Sequence, residues 1–228
     1  MALARLHRER TETAVQIRLP KTLPPAQARA LLRGAGFAPR RGDRPGEYRA
    51  RRELTLPDFV RPGLELLICG LNPSLYSARA GVPFARPGNR FWPAALRCGL
   101  LTEDRDVFAA IARGVGFVDL VKRATRQARE LTAGEFTRGL RRLERLLREQ
   151  RPGALCMVGL QGWRSAVRAD ARPGWQTPEL AGVPVYLMPS TSGLNAHIDV
   201  AGLAEHLSRA RRPDAARARE PEPDPQRC

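Results

Sequence analysis

The sequence lacks the paired cysteines and clustered histidines on which most structural metal sites and disulfide frameworks depend. The cysteines are Cys69, Cys98, Cys156 and Cys228. They include no CxxC pair and have no zinc-ligand spacing. Two of them fall inside apolar, strand-like runs, where a buried and unreactive thiol is expected. With only three scattered histidines, we expect a reduced protein without a metal site or an iron–sulfur cluster.

Several motifs of nucleotide and ester chemistry are also missing. The chain has no GxGxxG or GxxxxGK[ST] loop to cradle a phosphate and no GxSxG nucleophile elbow. No apolar stretch is long enough to cross a bilayer, and residues 1–10 are too highly charged for a signal peptide. We therefore expect a soluble, cytoplasmic protein whose chemistry uses amides, carboxylates, backbone donors and aromatic rings.

Arginine is the residue present in excess. The 39 Lys and Arg against 23 Asp and Glu give a formal net charge of +16 and a pI near 11.3, yet only Lys21 and Lys122 are lysines. A charge of this size favours a polyanionic partner, nucleic acid before an acidic membrane surface. GC-rich coding would produce the same arginine bias, so the charge alone leaves both explanations open.

Strand-like and helix-like segments alternate from about residue 57 onward. Apolar runs predict strands at residues 66–69, 114–118, 154–159 and 183–188. Periodicity and capping residues predict helices at residues 90–98, 102–113, 132–150, 161–168 and 200–210, with Thr102 and Thr132 as two of the caps. The alternation predicts an α/β fold, a three-layer α/β/α sandwich with a mainly parallel central sheet of about four to five strands.

The two ends of the chain differ from this α/β domain, which we place at residues 57–211. Residues 1–56 form a basic N-terminal extension, either a small β-α-β appendage or a partly disordered arm. Its role is open between a non-specific DNA arm and a solvated appendage. Residues 212–228, with four prolines and many charges, predict a disordered C-terminal tail.

Three predicted strands end in polar residues. Asn72 follows the first and Asp119 the second, while residues 190–195 follow the fourth. In open α/β sheets this edge is where ligands bind, so the three segments are expected to share one cleft. Each has a simpler explanation: an Asx-type turn for Asn72, a helix cap for Asp119, and a plain polar loop for residues 190–195.

Four motifs together resemble the mismatch-specific uracil/thymine DNA glycosylases of the uracil-DNA glycosylase superfamily. They are GLNPS at residues 70–74, PF at 83–84, PGNRFW at 87–92 and MPSTSGLN at 188–195. The likeness runs from about residue 57 to 211, with the motifs in order and at matching separation. It implies a mono-functional enzyme, without metal or cofactor, that flips uracil out of mismatched (G·U) duplex DNA and hydrolyses its N-glycosidic bond. It also implies a nucleoid-associated monomer that starts base-excision repair.

The resemblance assigns roles to residues that match the family's motifs. Asn72 would position the attacking water, and Phe84 would stack on the flipped base. The backbone around Leu71 and Phe84 would recognise the pyrimidine edge and stabilise charge on its oxygens. Ser190 would also contact the substrate, and Ser77 would line the pocket and crowd a thymine methyl, which makes uracil the expected base.

The resemblance also predicts the contacts to DNA. Leu194, in the loop that matches the family's wedge, would fill the hole left by the flipped base. The predicted DNA-binding residues are Asn89, Arg90, Ser192, Gly193, Leu194 and Asn195.

The chain departs from the family pattern at Ser74, at the Ser190–Thr191 pair and above all at Asp119, where other members carry lysine or asparagine. A carboxylate there could accept a proton from water or stabilise the sugar cation. We therefore hypothesise that Asp119 assists Asn72. Two alternatives stay open: a non-catalytic nucleic-acid-binding protein on the same fold, and a hydrolase of free nucleosides.

Overall fold

The computed structural model of the chain describes residues 1–9 and 13–211. Its strands are β1 (Ala14–Arg18), β2 (Phe37–Arg41), β3 (Glu47–Arg52), β4 (Leu66–Gly70), β5 (Val115–Asp119), β6 (Ala154–Val158), β7 (Gly174–Leu180) and β8 (Val183–Met188). Its helices are α1 (Ala2–Glu9), α2 (Pro25–Gly34), α3 (Leu75–Ala80), α4 (Phe91–Arg97), α5 (Val107–Ala112), α6 (Ala133–Gln150), α7 (Gln161–Ala166) and α8 (Val200–Ala210).

The central sheet has five strands in the order β5-β4-β6-β8-β7. The first four pair in parallel, and β7 runs antiparallel at one edge. Strands β4, β5 and β6 are buried along their whole length, which explains their unbroken apolar sequence. Because parallel strands point the same way, their carboxyl ends lie along one edge of the sheet.

Helices cover both faces of this sheet. Residues of α4, α5 and α8 pack on one face, around Phe91, Trp92 and Leu203. Residues of α6 and α7 pack on the other, around Leu143, Leu147 and Trp163. The prediction of a three-layer α/β/α sandwich with a mainly parallel sheet is therefore confirmed.

Local signals predicted many of these elements but not all of them; α1, β2 and α3 were not predicted. Helix α6 begins where Thr132 and Glu135 form a capping box, as its sequence predicts. The prediction of a helix starting at Thr102 is wrong, because α5 begins at Val107. Its N-terminal amides are capped by the Asp106 carboxylate, which accepts from Phe108 N at 2.8 Å. Strand β7 was also missed, since an exposed edge strand carries no apolar run.

Residues before 56 form a second, smaller sheet with a helix packed on it. Strands β1, β3 and β2 form an antiparallel sheet in that order, and α2 packs on it through Ala28 and Leu32. The small core includes Phe37 and Tyr48. We refer to residues 1–9 and 13–56 as the N-terminal unit. The domain boundary near residue 56 stays a prediction, and the predicted tail at residues 212–228 lies outside the described residues.

The N-terminal unit contacts the central domain through a backbone hydrogen bond and a cation–π interaction. The Asp58 amide donates to Gly34 O, at the end of α2, over 2.7 Å. The Arg5 guanidinium lies 3.9 Å from the ring centroid of Phe108 on α5. Within the unit, burial lowers the pKa of His7 to about 4. In the part of the chain described by the structure, no helix has the length and apolar character needed to span a membrane.

Candidate active site

A cavity of about 910 Å³ opens at the carboxyl edge of the central sheet. It brings together the ends of β4, β5, β6 and β8, as expected for ligand sites in open α/β folds. Predicted site residues that line it are Leu71, Asn72, Ser77, Phe84, Asn89, Asp119, Ser190, Ser192 and Leu194. The polar residues that follow three separate strands therefore share one cleft.

Asn72 follows β4, and three acceptors surround its amide nitrogen, which has two hydrogens, so two of the acceptors share one hydrogen. Nδ2 donates to Thr125 Oγ1 at 2.8 Å, to Arg123 O at 2.9 Å and to Pro73 O at 3.2 Å. Thr125 is buried and its hydroxyl donates to Gln127 O at 3.0 Å, so it has a lone pair left for the amide.

These partners determine the orientation of the Asn72 side-chain amide, that is, which side carries the nitrogen and which the oxygen. Two of the three acceptors are carbonyl oxygens, which cannot donate, so the nitrogen of Asn72 must face them. Oδ1 accepts no hydrogen bond from the described part of the chain. A cavity-lining amide oxygen with its nitrogen fixed is a ready acceptor for a water hydrogen.

Asp119 ends β5, directly beside Gly70 in the parallel pairing of β4 and β5. Its side chain leaves no room for a larger neighbour: a Cβ on Gly70 would lie 2.6 Å from Asp119 Oδ1 and 3.5 Å from the ring of Phe84. Glycine at position 70 is therefore what allows the carboxyl and the aromatic ring to approach each other. The Asp119 backbone carbonyl accepts a hydrogen bond from Arg142 Nη2.

Burial dominates the electrostatics of Asp119, which is only 8% exposed. It raises the pKa of the carboxyl to about 7, with a further increase from Asp58 and opposing effects from Lys122 and Arg142. An ordinary aspartate titrates near 4. Asp119 therefore changes protonation state near neutral pH, the range in which a general base is most effective.

Phe84 forms the aromatic wall of the cavity. Its φ of 54° lies in the left-handed region, which bulky residues rarely adopt. The surrounding contacts hold it there: its ring stacks on Phe91 with centroids 4.4 Å apart, and Pro83 O accepts from the Trp92 indole at 2.8 Å. Strained backbone of this kind clusters at functional sites, where the fold holds a side chain in place.

Ser77 lies on α3, at the inner side of the cavity, and is 3% exposed. Its hydroxyl accepts from the Ala85 amide at 3.2 Å and from Ser74 Oγ at 3.0 Å. Ser74 also caps α3 through the Ser77 amide. These contacts couple the turn after Asn72 to the Phe84 segment, so the two walls of the cavity are held together.

Arg90 holds the loop at residues 190–195 through hydrogen bonds to its backbone carbonyls. Arg90 Nη2 donates to Ser192 O at 3.0 Å and also to Asn195 O, while its backbone amide donates to Thr191 O at 2.9 Å. Asn195 Nδ2 donates to Ser190 O at 2.9 Å. The Arg90 side chain therefore supports the loop, and a direct contact of Arg90 with DNA stays a prediction.

The tip of this loop presents one apolar side chain to solvent. Leu194 is 88% exposed. A Cβ on the preceding Gly193 would lie 2.8 Å from Gly88 O, so the loop packs closely against the segment before α4. Asn89, in that segment, uses Oδ1 to accept from the Phe91 amide at 2.9 Å. Leu194 is thus an exposed side chain on a loop that is held in place by close packing.

Sequence reasoning missed several residues of the cavity. Thr125 fixes Asn72, and Leu56 reaches the cavity from the N-terminal unit. Others in the cavity wall are Tyr76, Arg86, Arg126, Gln127, Arg129, Leu160 and Gln161. The connection after β5 could have been suspected, because loops at this edge of a parallel sheet are where ligands bind. Within the described ranges no cluster of His, Cys, Asp and Glu could hold a metal ion.

The model of the uracil DNA glycosylase superfamily matches residues 57–209, and the chain belongs to this family. The match covers the central domain and every predicted site residue. The protein is accordingly a DNA glycosylase, which hydrolyses N-glycosyl bonds and acts on DNA.

A solved structure is also similar. It is the solution NMR structure of a protein from Methanosarcina acetivorans, described as "a putative Uracil DNA glycosylase". The identity is 18%, the TM-score is 0.45, and the similarity covers 69% of this chain and 95% of that one. A similarity at this level carries no weight for function.

Proposed function

We propose that the protein is a mono-functional uracil DNA glycosylase of the mismatch-specific type, which flips uracil out of a G·U pair and hydrolyses its N-glycosidic bond. The observation that carries the proposal is the pairing, in one cavity, of a fixed Asn72 amide with an Asp119 carboxyl that titrates near neutral pH. Each could act on the same water molecule.

Asn72 orients this water but cannot deprotonate it. Its Oδ1 accepts one water hydrogen, while its nitrogen is held by Thr125 and two backbone carbonyls. An amide does not titrate between pH 4 and 10, so this contribution is independent of pH. With an amide alone, the glycosidic bond would have to break largely by itself through an oxocarbenium-like state.

Asp119 supplies the missing charge. As the C1′–N1 bond breaks, its electron pair leaves with the uracil, and the negative Asp119 carboxylate stabilises the positive sugar. Water then adds to C1′ and gives a proton to the carboxylate. Transfer of that proton through solvent to the uracil anion completes the hydrolysis and regenerates the carboxylate. General-base assistance of this kind contributes roughly 10²–10⁴-fold to a rate.

The remaining residues hold the flipped nucleotide. Phe84 stacks on the base, a contact that contributes about 1–3 kcal/mol and tolerates different bases. Leu71 and Ser190 contact the base from the ends of β4 and β8, and Ser77 restricts the space for a thymine methyl. Charge that develops on the uracil oxygens is stabilised by backbone donors near Leu71 and Phe84.

The exposed Leu194 is the wedge. Inserted into the duplex, it fills the space vacated by the flipped base. Ser192, Gly193, Asn195 and Asn89 surround it and contact the DNA backbone. Extrusion costs a few kcal/mol, least for a mispaired base, so a G·U pair is the preferred target. The enzyme works as a cytoplasmic, nucleoid-associated monomer at the start of base-excision repair.

A panel of oligonucleotides tests the proposal. Uracil is placed opposite each of the four bases and in a single strand, and alkali-labile abasic sites are measured for the wild type and for Asn72→Ala. We expect cleavage of G·U in the wild type at the highest rate and its loss in the variant. The proposal is wrong if the wild type binds DNA with a salt-dependent affinity but releases no uracil, or releases it only from free deoxyuridine.

A further inference from the structure

A partly buried ion cluster is connected to Asp119 and belongs to no part of the reaction described so far. Its centre is Asp58, whose side chain is 6% exposed. Asp58 Oδ1 lies 3.0 Å from Lys122 Nζ, and Oδ2 lies 2.7 Å from Arg142 Nη1. Burial lowers the pKa of Lys122, and the Asp58 carboxylate opposes that shift. With both cations protonated, Lys122 and Arg142 share one carboxylate and the three side chains carry one excess positive charge.

Lys122 has all three of its ammonium hydrogens occupied. Besides Asp58, Nζ donates to Gly34 O at 3.1 Å and to Leu56 O. Both carbonyls belong to the N-terminal unit, and Gly34 is the last residue of α2, where the helix dipole favours a cation. The N-terminal unit therefore holds Lys122 through two backbone carbonyls.

The cluster reaches Asp119 through both its backbone and its charge. Arg142 Nη2 donates to Asp119 O, and Lys122 lies three residues beyond Asp119 in the chain. The groups that face Asp119 from the surrounding elements are Asp58, Cys69, Lys122 and Arg142. Burial raises the pKa of the Cys69 thiol, which stays neutral. The excess positive charge of the cluster is thus the local counter-charge of the carboxylate.

We propose that Lys122 and Arg142, held by Asp58 and by the N-terminal unit, are positioning residues that keep the Asp119 carboxylate ionised during the reaction. The inference deepens the proposed function and rests on it for the role of Asp119. It means that the N-terminal unit affects the chemistry of the site, because its Gly34 and Leu56 carbonyls hold Lys122.

The physical reason is that burial and charge act on Asp119 in opposite directions. Burial favours the neutral acid, whereas Lys122 and Arg142 favour the carboxylate. A nearby positive charge lowers a carboxyl pKa by about 1–3 units. Without Lys122 the acid form would persist to higher pH, and a smaller share of the enzyme would carry the base at neutral pH.

The test is the titration of Asp119 in the full-length protein, read in two ways. The first is the carboxyl ¹³C chemical shift of Asp119 against pH, assigned with Asp119→Asn. The second is the single-turnover rate on a G·U duplex from pH 5.5 to 9. Lys122→Met should raise both midpoints by about one pH unit, with the rate recovering at pH 9. Lys122→Arg should restore the wild-type midpoint.

Matched substitutions separate charge from structure. Lys122→Gln removes the charge but keeps donors for Gly34 and Leu56, and should raise the midpoint as Lys122→Met does; it also serves if the Met variant does not fold. Arg145→Gln removes a charge from an exposed position on the same helix as Arg142 and should leave the midpoint unchanged.

A remote glycine tests the contribution of the N-terminal unit. A Cβ on Gly34 would lie 2.7 Å from Asp58 Oδ2, so Gly34→Ala should displace Asp58, which acts on the pKa of Asp119 both directly and through the two cations, and should shift the midpoint. Gly134→Ala, where the added Cβ would meet only the flexible end of Arg138, is its control.

The outcomes distinguish this inference from the function on which it rests. An unchanged ¹³C midpoint in both Lys122→Met and Lys122→Gln would overturn the inference. A uniform fall in rate at every pH, without a shifted midpoint, would show that the cluster is merely structural. If the wild type releases no uracil, the proposed function fails, and the ¹³C titration still decides whether the cluster controls Asp119.

Discussion

Asn72 and Asp119 face one cavity but are held in opposite ways. Asn72 is fixed by neutral hydrogen bonds from its amide nitrogen to three acceptors. Asp119 is fixed through its backbone and packed against Gly70, and burial raises the pKa of its carboxyl to about 7. The first arrangement gives geometry that does not depend on pH, and the second gives a charge that does.

This difference explains how the site can combine precise geometry with basicity. The Asn72 amide is held in place by its hydrogen bonds but cannot accept a proton from water. A buried carboxyl can take one, at the expense of being partly protonated near neutral pH. The substitutions below separate the two contributions, in order of decreasing effect.

Removing the amide should have the largest effect. Asn72→Ala leaves the water without its acceptor and leaves Thr125 and two carbonyls without their donor. Because a misplaced reacting group costs roughly 10²-fold or more in rate, we expect a loss of this size or greater at every pH. Single-turnover release of uracil from a G·U duplex measures it. A loss confined to low pH would contradict the role given to Asn72.

Removing the carboxylate should have a smaller effect that depends on pH. The wild-type rate should rise as pH increases through about 7, since only the ionised Asp119 assists. Asp119→Asn should be roughly 10²-fold slower at pH 8 and should show no such rise. If Asp119→Asn keeps full activity on G·U and on other uracil pairs, while Asn72→Ala does not, Asp119 has no catalytic role.

The melting temperature of Asp119→Asn is a control that separates lost catalysis from unfolding. The pKa of Asp119 is raised by folding, so its protonation stabilises the folded state at low pH, and this contribution is lost as pH rises through about 7. Asp119→Asn cannot ionise, so its melting temperature should exceed that of the wild type at pH 8 by more than it does at pH 5. A slower but more stable variant would show that the lost activity does not come from unfolding.

A change behind Asn72 should have an intermediate effect. Thr125→Val keeps the shape of the side chain but removes one of the three acceptors of Nδ2. We expect the rate to fall about fivefold, in keeping with one lost hydrogen bond of about 1 kcal/mol, without a change in its pH dependence. Thr137→Val, at an exposed position on α6, is the matched control.

The smallest effect is expected at the loop tip. Leu194→Ala shortens the proposed wedge without touching Asn72 or Asp119. Uracil release from duplex DNA should fall several-fold, because the wedge offsets an extrusion cost of a few kcal/mol, while release from a single strand should stay unchanged. Equal losses on both substrates would show that Leu194 does not act by stabilising the flipped state.

The sequence led to Asn72 and Asp119 because both follow apolar strands, and the carboxyl edge of a parallel sheet is a local, predictable place. It could not lead to Thr125 or the Asp58 cluster, because their partners lie far away in the chain. Asp58 meets Arg142 across 84 positions. The starting point of α5 was missed for a different reason. Thr102 and Asp106 are both good caps, but Arg105, between them, has a φ of 55° and cannot be part of a right-handed helix.

The N-terminal unit shows a further limit of sequence reasoning. Its arginines suggest an independent DNA arm, and that role stays a prediction. In the structure its Gly34 and Leu56 carbonyls hold Lys122, so a chain shortened to residue 57 would lose more than a basic surface. Charge-removing substitutions at exposed strand positions such as Arg40 and Arg49 therefore test DNA affinity more cleanly than a deletion.

The central claim is that Asn72 and Asp119 act on the same water, and a double-mutant cycle tests it most directly. Single-turnover rates on a G·U duplex at pH 8 are compared for the wild type, Asn72→Ala, Asp119→Asn and the double variant. Residues that act as a unit are strongly non-additive. We predict that the double variant is no more than a few-fold slower than Asn72→Ala alone. Fully multiplied losses would contradict a shared water.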